Sequence, residues 1–404
     1  MLGDILTGPD AGCHQGEFFV DLRYLFPGTR KWSKDPKMVK RVYNFSAGPA
    51  VLPLPAMEEA QRDLLALPGV GASILEISHR SKPFEAIIEK AEENLRELLA
   101  IPADYRVLFL QGGAQMQFAM VPMNFLRGTG RTADYLLTGS WGNKAMEEAR
   151  TQGKVRVAWN GDAVNFRRLP RQEELELDPD AAYVHITSNE TIQGVQFAAE
   201  PDVGGVPLVC DASSDFLCRP VPVERYGILY ACAQKNAGPA GVTIVILRDD
   251  LVQRVPKDLP SMLDYRALAE AGSLLNTPPV FSVYMVKLVT DWLLKEIGGL
   301  EKMHQLNREK ASLLYEAVDQ SDGFYSGHAE PASRSIMNVT FRLPDATLEG
   351  QFLKQAESRG LTALKGHRSV GGCRASIYNA MPREGVEALR DFMLEFRHQH
   401  AASA

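Results

Sequence analysis

The sequence is poor in the features that staple, anchor or export a chain. Its 404 residues include only five cysteines, at positions 13, 210, 218, 232 and 373, odd in number and scattered, so neither a disulfide framework nor a metal-ligand spacing runs through them. A reducing cytoplasm is the expected setting. No run of about eighteen apolar residues occurs, which argues against a transmembrane helix. The first residues lack the basic region and apolar core of a secretory signal. Basic excess is missing as well: 44 lysines and arginines face 50 aspartates and glutamates, and a mildly acidic chain without a basic stripe offers nucleic acid no footprint. Internal repeats and low-complexity tracts are absent. What is present is enough length to bury a substantial core, in keeping with two domains rather than one.

Chemistry gathers around Lys235, in YACAQKNAGPAGVTIVI. A lysine between two strands is ordinarily solvated. Here Leu229 to Ala233 lead in as a compact apolar strand and Val242 to Leu247 lead out as another, so Lys235 sits beside the core. Partial burial with few charged neighbours is expected to lower its pKa and make it a nucleophile towards an aldehyde, the chemistry of a Schiff-base lysine. Upstream, the apolar residues Val206, Leu208, Val209 and Cys210 read as a short strand ending on Asp211. A lone aspartate there is as readily a turn former or cap. Followed by Ser213 and Ser214, and then by the lysine at the end of another strand, it is more specific. Lys235 is the candidate to hold pyridoxal phosphate, and Asp211 the candidate to face the ring nitrogen.

Along the chain, residues 1–37 show no sustained period and are expected to be poorly ordered and dispensable, with Met38 available as an alternative start. A helix is predicted from about Pro55. His79 and Arg80 stand just before an amphipathic helix with the stripe Phe84, Ile87, Ile88, Ala91, Leu95 and Leu98; such a pair is either plain loop or an anion grip. After the strand Val107 to Leu110, Gly112 and Gly113 turn into a helix opening at Ala114, whose free amides suit a phosphate, although Gly-Gly turns often serve packing alone. Trp141, between Gly139 and Gly142, is either a core residue or a ring stacked on a flat cofactor. Thr191 caps a turn or reaches a cofactor oxygen. Short strands alternating with helical segments from Ala133 to Leu247 indicate an α/β domain with a mostly parallel sheet, which binds ligands at its carboxyl edge. Asn276 and Thr277 precede two prolines and a helix from about Val280. A smaller α/β domain is expected from about residue 303. Within it, His367, Arg368 and Arg374 crowd one glycine-bearing loop, which favours anion binding over a solvated turn.

NFSAGPAVLP, SHRSKPF, GGAQMQF, AQKNAGPAG, NTPP and KGHRSVGGCRASIYNA occur in this order, and through them the sequence resembles the phosphoserine-forming branch of the class V pyridoxal-phosphate aminotransferases over roughly residues 40 to 398. The resemblance implies the type I fold: a large cofactor domain over 54–302, a small domain over 303–404 with 40–53 packed on it, and a homodimer. It implies Lys235 as the Schiff-base lysine, Asp211 at the ring nitrogen, Trp141 stacked on the ring, and Thr191 and Gln234 as further cofactor contacts. The phosphate would meet Ala114 and Gln115, where some members carry Gly-Arg, aided by Asn276 and Thr277 of the other subunit. Arg374 would take the substrate α-carboxylate, and His79, Arg80, His367 and Arg368 the distal anion. The implied reaction moves an amino group between L-glutamate and 3-phosphohydroxypyruvate. A different class V reaction, such as desulfuration with Cys373, and a non-enzymatic protein retaining the fold are the alternatives; Cys373, flanked by Gly372 and Arg374, is expected to pack.

Overall fold

The computed structural model describes residues 41–400, so the expectations for 1–37 and Met38 lie outside the described residues. A seven-stranded sheet organises the chain. Its strands, in chain order, are β1 (Tyr105–Gly112), β2 (Thr132–Leu137), β3 (Lys154–Asn160), β4 (Tyr183–Thr187), β5 (Leu208–Asp211), β6 (Tyr226–Cys232) and β7 (Gly241–Arg248). They lie side by side in the order β1-β7-β6-β5-β4-β2-β3. All run parallel except β7, which is antiparallel to both β1 and β6. That reversal follows from connection length: residues 233–240 form a turn too short for the crossover that a parallel neighbour needs.

Side chains alternate across the sheet. Leu229, Ala231, Ile244 and Ile246 enter one core, and Ile228, Tyr230, Val245 and Leu247 the other. This is the period-two consequence of strand geometry. Both faces are covered, so β7 is apolar throughout from Val242 to Leu247 with Thr243 also buried, as a strand between helical layers requires. The helices Lys82–Leu99 and Val280–Trp292 seal the first face. Phe84, Ile87, Ile88, Ala91, Leu95 and Leu98 are all buried, and full burial of each large apolar side chain contributes about 1.5–3 kcal/mol. The helices Ala114–Phe125 and Ser140–Arg150 seal the second face through Phe118, Val121, Ala145 and Ala149.

A third core holds Phe45 together with residues between Ala311 and Phe396, built on the antiparallel sheet of Ser326–Gly327, Asn338–Arg342 and Cys373–Ser376. Tyr43–Asn44 pairs in parallel with Leu361–Thr362. A large unit over 54–302 and a small one over 303–404, with 40–53 packed on it, stands as our proposal for the domain division, residues 40 and 401–404 of it lying outside the described residues. The cut falls inside the helix Leu300–Asp319. Its first turn packs Leu300 and Met303 into the first core, and later turns pack Ala311 and Leu314 into the third. No described helix is long and apolar enough to cross a membrane.

Candidate active site

Because six strands are parallel, their carboxyl ends share one edge, and the loops leaving them meet there. Asp211 is the last residue of β5; Gly113 to Gln115 follow β1, Trp141 follows β2, Thr191 follows β4, and Gln234 and Lys235 follow β6. These residues line one cleft of about 460 Å³, closed on its other sides by Ala47 to Pro49, Ser213, His367 and Arg374. The volume lies within the range of small-molecule sites.

Nine of the fourteen predicted site residues thus come together. Asn276 instead lines a neighbouring apolar cavity with Met116 and Pro278, and the carbonyl of Thr277 accepts from Gln111 Nε2 at 2.6 Å. His79, Arg80 and Arg368 do not line this cleft; His79 carries a buried Nε2 without a hydrogen-bond partner.

Lys235 Nζ lies 5.7 Å from the centroid of the Trp141 ring. Behind the lysine runs the backbone of Gly48, at φ 138°; a Cβ there would come within 3.4 Å of Lys235 Cγ, so a bare backbone supports the aliphatic stem. The expectation of a lowered lysine pKa is corrected. Burial does pull the ammonium down, but Tyr378, Cys232 and the carboxylates of Asp211 and Glu190 outweigh it, and the net direction is up. The sequence placed the lysine beside the core but did not reveal the acids that the fold gathers around it.

Asp211 is 4% exposed, and its Oδ1 accepts from the Ser213 amide at 3.0 Å. Burial raises its pKa, against the pull of Lys235 and Ser213. Trp141 Nε1 donates to Thr191 Oγ1 at 3.0 Å, so that hydroxyl orients the indole. Arg374 Nη1 donates to the Thr191 carbonyl at 3.1 Å; burial lowers the guanidinium pKa, and Arg374 is a cation held beside the core. His367 Nδ1 pairs with Ser369 Oγ at 2.7 Å. Its pKa is lowered by burial and then by the charges of Arg374, Arg368 and Lys144.

Sequence reasoning assigned no role to Glu190, Gly48 or Tyr378. Tyr378 OH donates to the Ala47 carbonyl at 2.8 Å, tying the C-terminal region to the wall behind Lys235. Only a glycine next to proline hinted at Gly48, and a buried carboxylate such as Glu190 has no local signature. Cys373 is 1% exposed in the third core, and burial pushes its thiol pKa up. An inert buried thiol is the wrong reagent for desulfuration.

The cleft suits pyridoxal phosphate. A buried carboxylate, Asp211, can face a cationic ring nitrogen, and a flat indole lies near the lysine. The helix Ala114–Phe125 opens on the cleft with Gly113 as an N-cap that brings no side-chain bond, leaving its first amides for a phosphate.

The aminotransferase class-V family model matches residues 42–389. The sequence is 56% identical over 360 residues to the phosphoserine aminotransferase of Desulfosudis oleivorans, covering 89% of this chain and 99% of that one. Among solved structures, the phosphoserine aminotransferase from Bacillus circulans subsp. alkalophilus is similar with a TM-score of 0.88 and 52% identity, over 90% of this chain and 100% of that one. The pyridoxal-phosphate-bound phosphoserine aminotransferase from Trichomonas vaginalis is similar with a TM-score of 0.83 and 41% identity, over 88% of this chain and 100% of that one.

Proposed function

The chain belongs to the class-V aminotransferase family, and from that premise we propose that it moves an amino group reversibly between L-glutamate and 3-phosphohydroxypyruvate, giving O-phospho-L-serine and 2-oxoglutarate. It is a pyridoxal-phosphate-dependent aminotransferase of the phosphoserine type, a reading supported by relatives above half identity over nearly their full length. When bound, pyridoxal phosphate supplies an aldehyde for amines and a cationic ring that withdraws electrons from the substrate α-carbon.

The chain's own residues do the rest. With pyridoxal phosphate bound, Lys235 Nζ would hold it, and the same amine would move the proton at the substrate Cα. Its raised pKa suits the acid half of that exchange, and the base half needs the proton to leave first. Asp211, buried in the same cleft, would keep a proton on the ring nitrogen. Trp141 would shield the ring from water, and the amides of Ala114 and Gln115 would hold the phosphate. Arg374 offers its planar fork to the α-carboxylate. His367 stands next to it for the distal anion; phosphate and carboxylate both accept the same hydrogen bonds, so one pocket serves both substrates.

A homodimer completes this site. His79, Arg80, Asn276 and Thr277 lie outside the chain's own cleft, and apolar residues elsewhere on the large unit are exposed: Leu65 is 87% and Leu75 63% exposed, with Met57, Met116, Met262 and Leu275 also exposed. Apolar surface left open in this way is what a partner would cover. A second copy would cover it and bring those four residues to the neighbouring cleft. Arg368 would reach the distal anion beside His367. A cytoplasmic setting is supported by Cys210, Cys218, Cys232 and Cys373 being unpaired.

The observation that carries the reading is the delivery of Lys235 and Asp211 from adjacent strands into one cleft beside Trp141. Borohydride reduction of the cofactor-loaded protein followed by peptide mapping tests it: the label is expected on Lys235, and a label elsewhere overturns the assignment. Activity on phosphoserine with 2-oxoglutarate should exceed that on cysteine or alanine; the reverse order would overturn the substrate.

A further inference from the structure

Glu190 is a buried carboxylate that the reaction as described does not use. It is 0% exposed and lies on the short hairpin of Asn189–Glu190 and Val195–Gln196, facing the start of the helix Ser140–Arg150. Both its oxygens accept from the Trp141 amide, at 3.1 and 3.0 Å, and Oε1 also accepts from the Gly142 amide at 2.9 Å. Helix starts leave such amides unpaired, and a carboxylate there is favoured by the backbone dipole and makes charge-assisted bonds.

The contact is tight. A Cβ on Gly139 would fall 2.5 Å from Glu190 Cδ, so the turn can press onto the carboxylate only as glycine. The same hairpin grips the helix at two further points: Thr191 Oγ1 holds the indole nitrogen and Gln193 Nε2 donates to Ser140 Oγ at 3.0 Å. The hairpin is itself pinned, because a Cβ on Gly194 would fall 2.7 Å from Thr340 Oγ1 and 2.9 Å from the Asn338 carbonyl. The charges that act on Glu190 are those of Asp211 and Lys235. Burial pushes its carboxyl up to about 7, against the amides of Gly142 and Trp141 and the charge of Lys235, and with that of Asp211. A buried acid is held in a costly form, and its hydrogen-bond partners are the two amides of the turn that carries Trp141.

We propose that Glu190 is the positioning residue for Trp141: its carboxylate locks the first turn of the helix Ser140–Arg150 and so sets where the indole stands in the cofactor cleft. The proposal rests on the cofactor reading above. It adds that ring placement is governed by a group that touches neither cofactor nor substrate.

The test measures pyridoxal phosphate affinity by quenching of tryptophan fluorescence in the full chain, for wild type, Glu190→Ala, Glu190→Gln, Trp141→Phe and the double variant Glu190→Ala/Trp141→Phe. Loss of the charge-assisted bonds to the Trp141 and Gly142 amides predicts that Glu190→Ala binds at least tenfold more weakly. Glu190→Gln, which keeps one acceptor and the shape, should bind within about threefold of wild type. Removing Glu190 from Trp141→Phe should cost little further, because the two act as a unit. Without cofactor, the Trp141 emission, taken as Glu190→Ala minus the double variant, should lie at longer wavelength than that of wild type minus Trp141→Phe, and an unshifted emission would overturn the proposal. Should Glu190→Ala not fold, Gly139→Ala supplies the same displacement with the acid intact and is expected to bind at least tenfold more weakly. Wild-type affinity in Glu190→Ala or Gly139→Ala, or losses that add in full in the double variant, would overturn the proposal. A wild-type chain that fails to bind pyridoxal phosphate would overturn the function and this inference together.

Discussion

Gly366→Ala is the sharpest test of the cationic loop. A Cβ on Gly366 would sit 2.1 Å from the Gly371 carbonyl oxygen and 2.7 Å from that of Gly372. Both are backbone atoms, so no side chain can swing aside. The backbone segments on either side must part by roughly 1.3 Å to reach ordinary contact, which breaks the bond from the Gly366 amide to the Gly372 carbonyl, now 2.8 Å. Overpacking costs about 1–3 kcal/mol and the lost bond about 1 kcal/mol, so roughly 2–4 kcal/mol falls on the loop. Arg374 is held one rung further on, by its pairing with Thr340 on the neighbouring strand and by the hydrogen bond from its amide to the Leu364 carbonyl at 2.7 Å. The damage should therefore reach His367 and spare Arg374. Steady-state kinetics should show KM for phosphoserine raised tenfold or more at 1.4 kcal/mol per decade, with pyridoxal phosphate affinity unchanged. Gly350→Ala is the control: it lies within the helix Ala346–Ser358 with nothing near its would-be Cβ, and should stabilise by about 0.5–1 kcal/mol. An unchanged KM in Gly366→Ala would refute the claim that this loop presents the anion site.

Further outcomes follow from burial and charge. Lys235→Ala should abolish transamination while leaving circular dichroism intact, and retained turnover would end the catalytic assignment. Arg374→Ala should weaken every amino-acid substrate through the shared α-carboxylate, whereas His367→Ala should weaken chiefly those with a distal anion; equal losses on alanine would contradict that division. For Glu190, whose folded pKa of about 7 lies above its ordinary value, the native state binds the extra proton between about pH 4.5 and 7. Its contribution is present below that window and lost as pH rises through it. Cofactor-free Glu190→Gln should therefore gain on wild type in urea melts as pH rises, by at most about 3 kcal/mol near pH 8, and a constant difference would show that the acid is not raised. Phe352, 0% exposed among the rings of Tyr325, Phe341, Phe392 and Phe396, should cost about 3–5 kcal/mol on truncation to alanine, read as a lower urea midpoint.

Local signals carry a long way in this chain. The apolar runs around Tyr230 and Ile244 announced buried strands because both sides of the sheet are covered. The stripe from Phe84 to Leu98 announced a helix because one side is buried every third or fourth residue. Asp211 and Lys235 were legible for the same reason: a charged residue directly after an apolar run stands out, and strand ends are where an α/β sheet binds ligands. The helix start at Ala114 was likewise marked by the glycines before it.

Spatial neighbourhood was not legible. That β7 runs against its neighbours and lies between β1 and β6, over a hundred residues apart in sequence, depends on how a whole sheet is assembled, and no window of sequence records strand order. The direction of the Lys235 pKa failed to follow from its flanks because, Cys232 apart, the groups that set it arrive from β5, from the Glu190 hairpin and from Tyr378. Burial and Coulomb interactions act through space and have no memory of chain distance. Residue types and their periodicity settle which segments are strands and which residues carry reactive groups; only the folded arrangement decides which charges face one another, since that depends on distances the chain closes by folding.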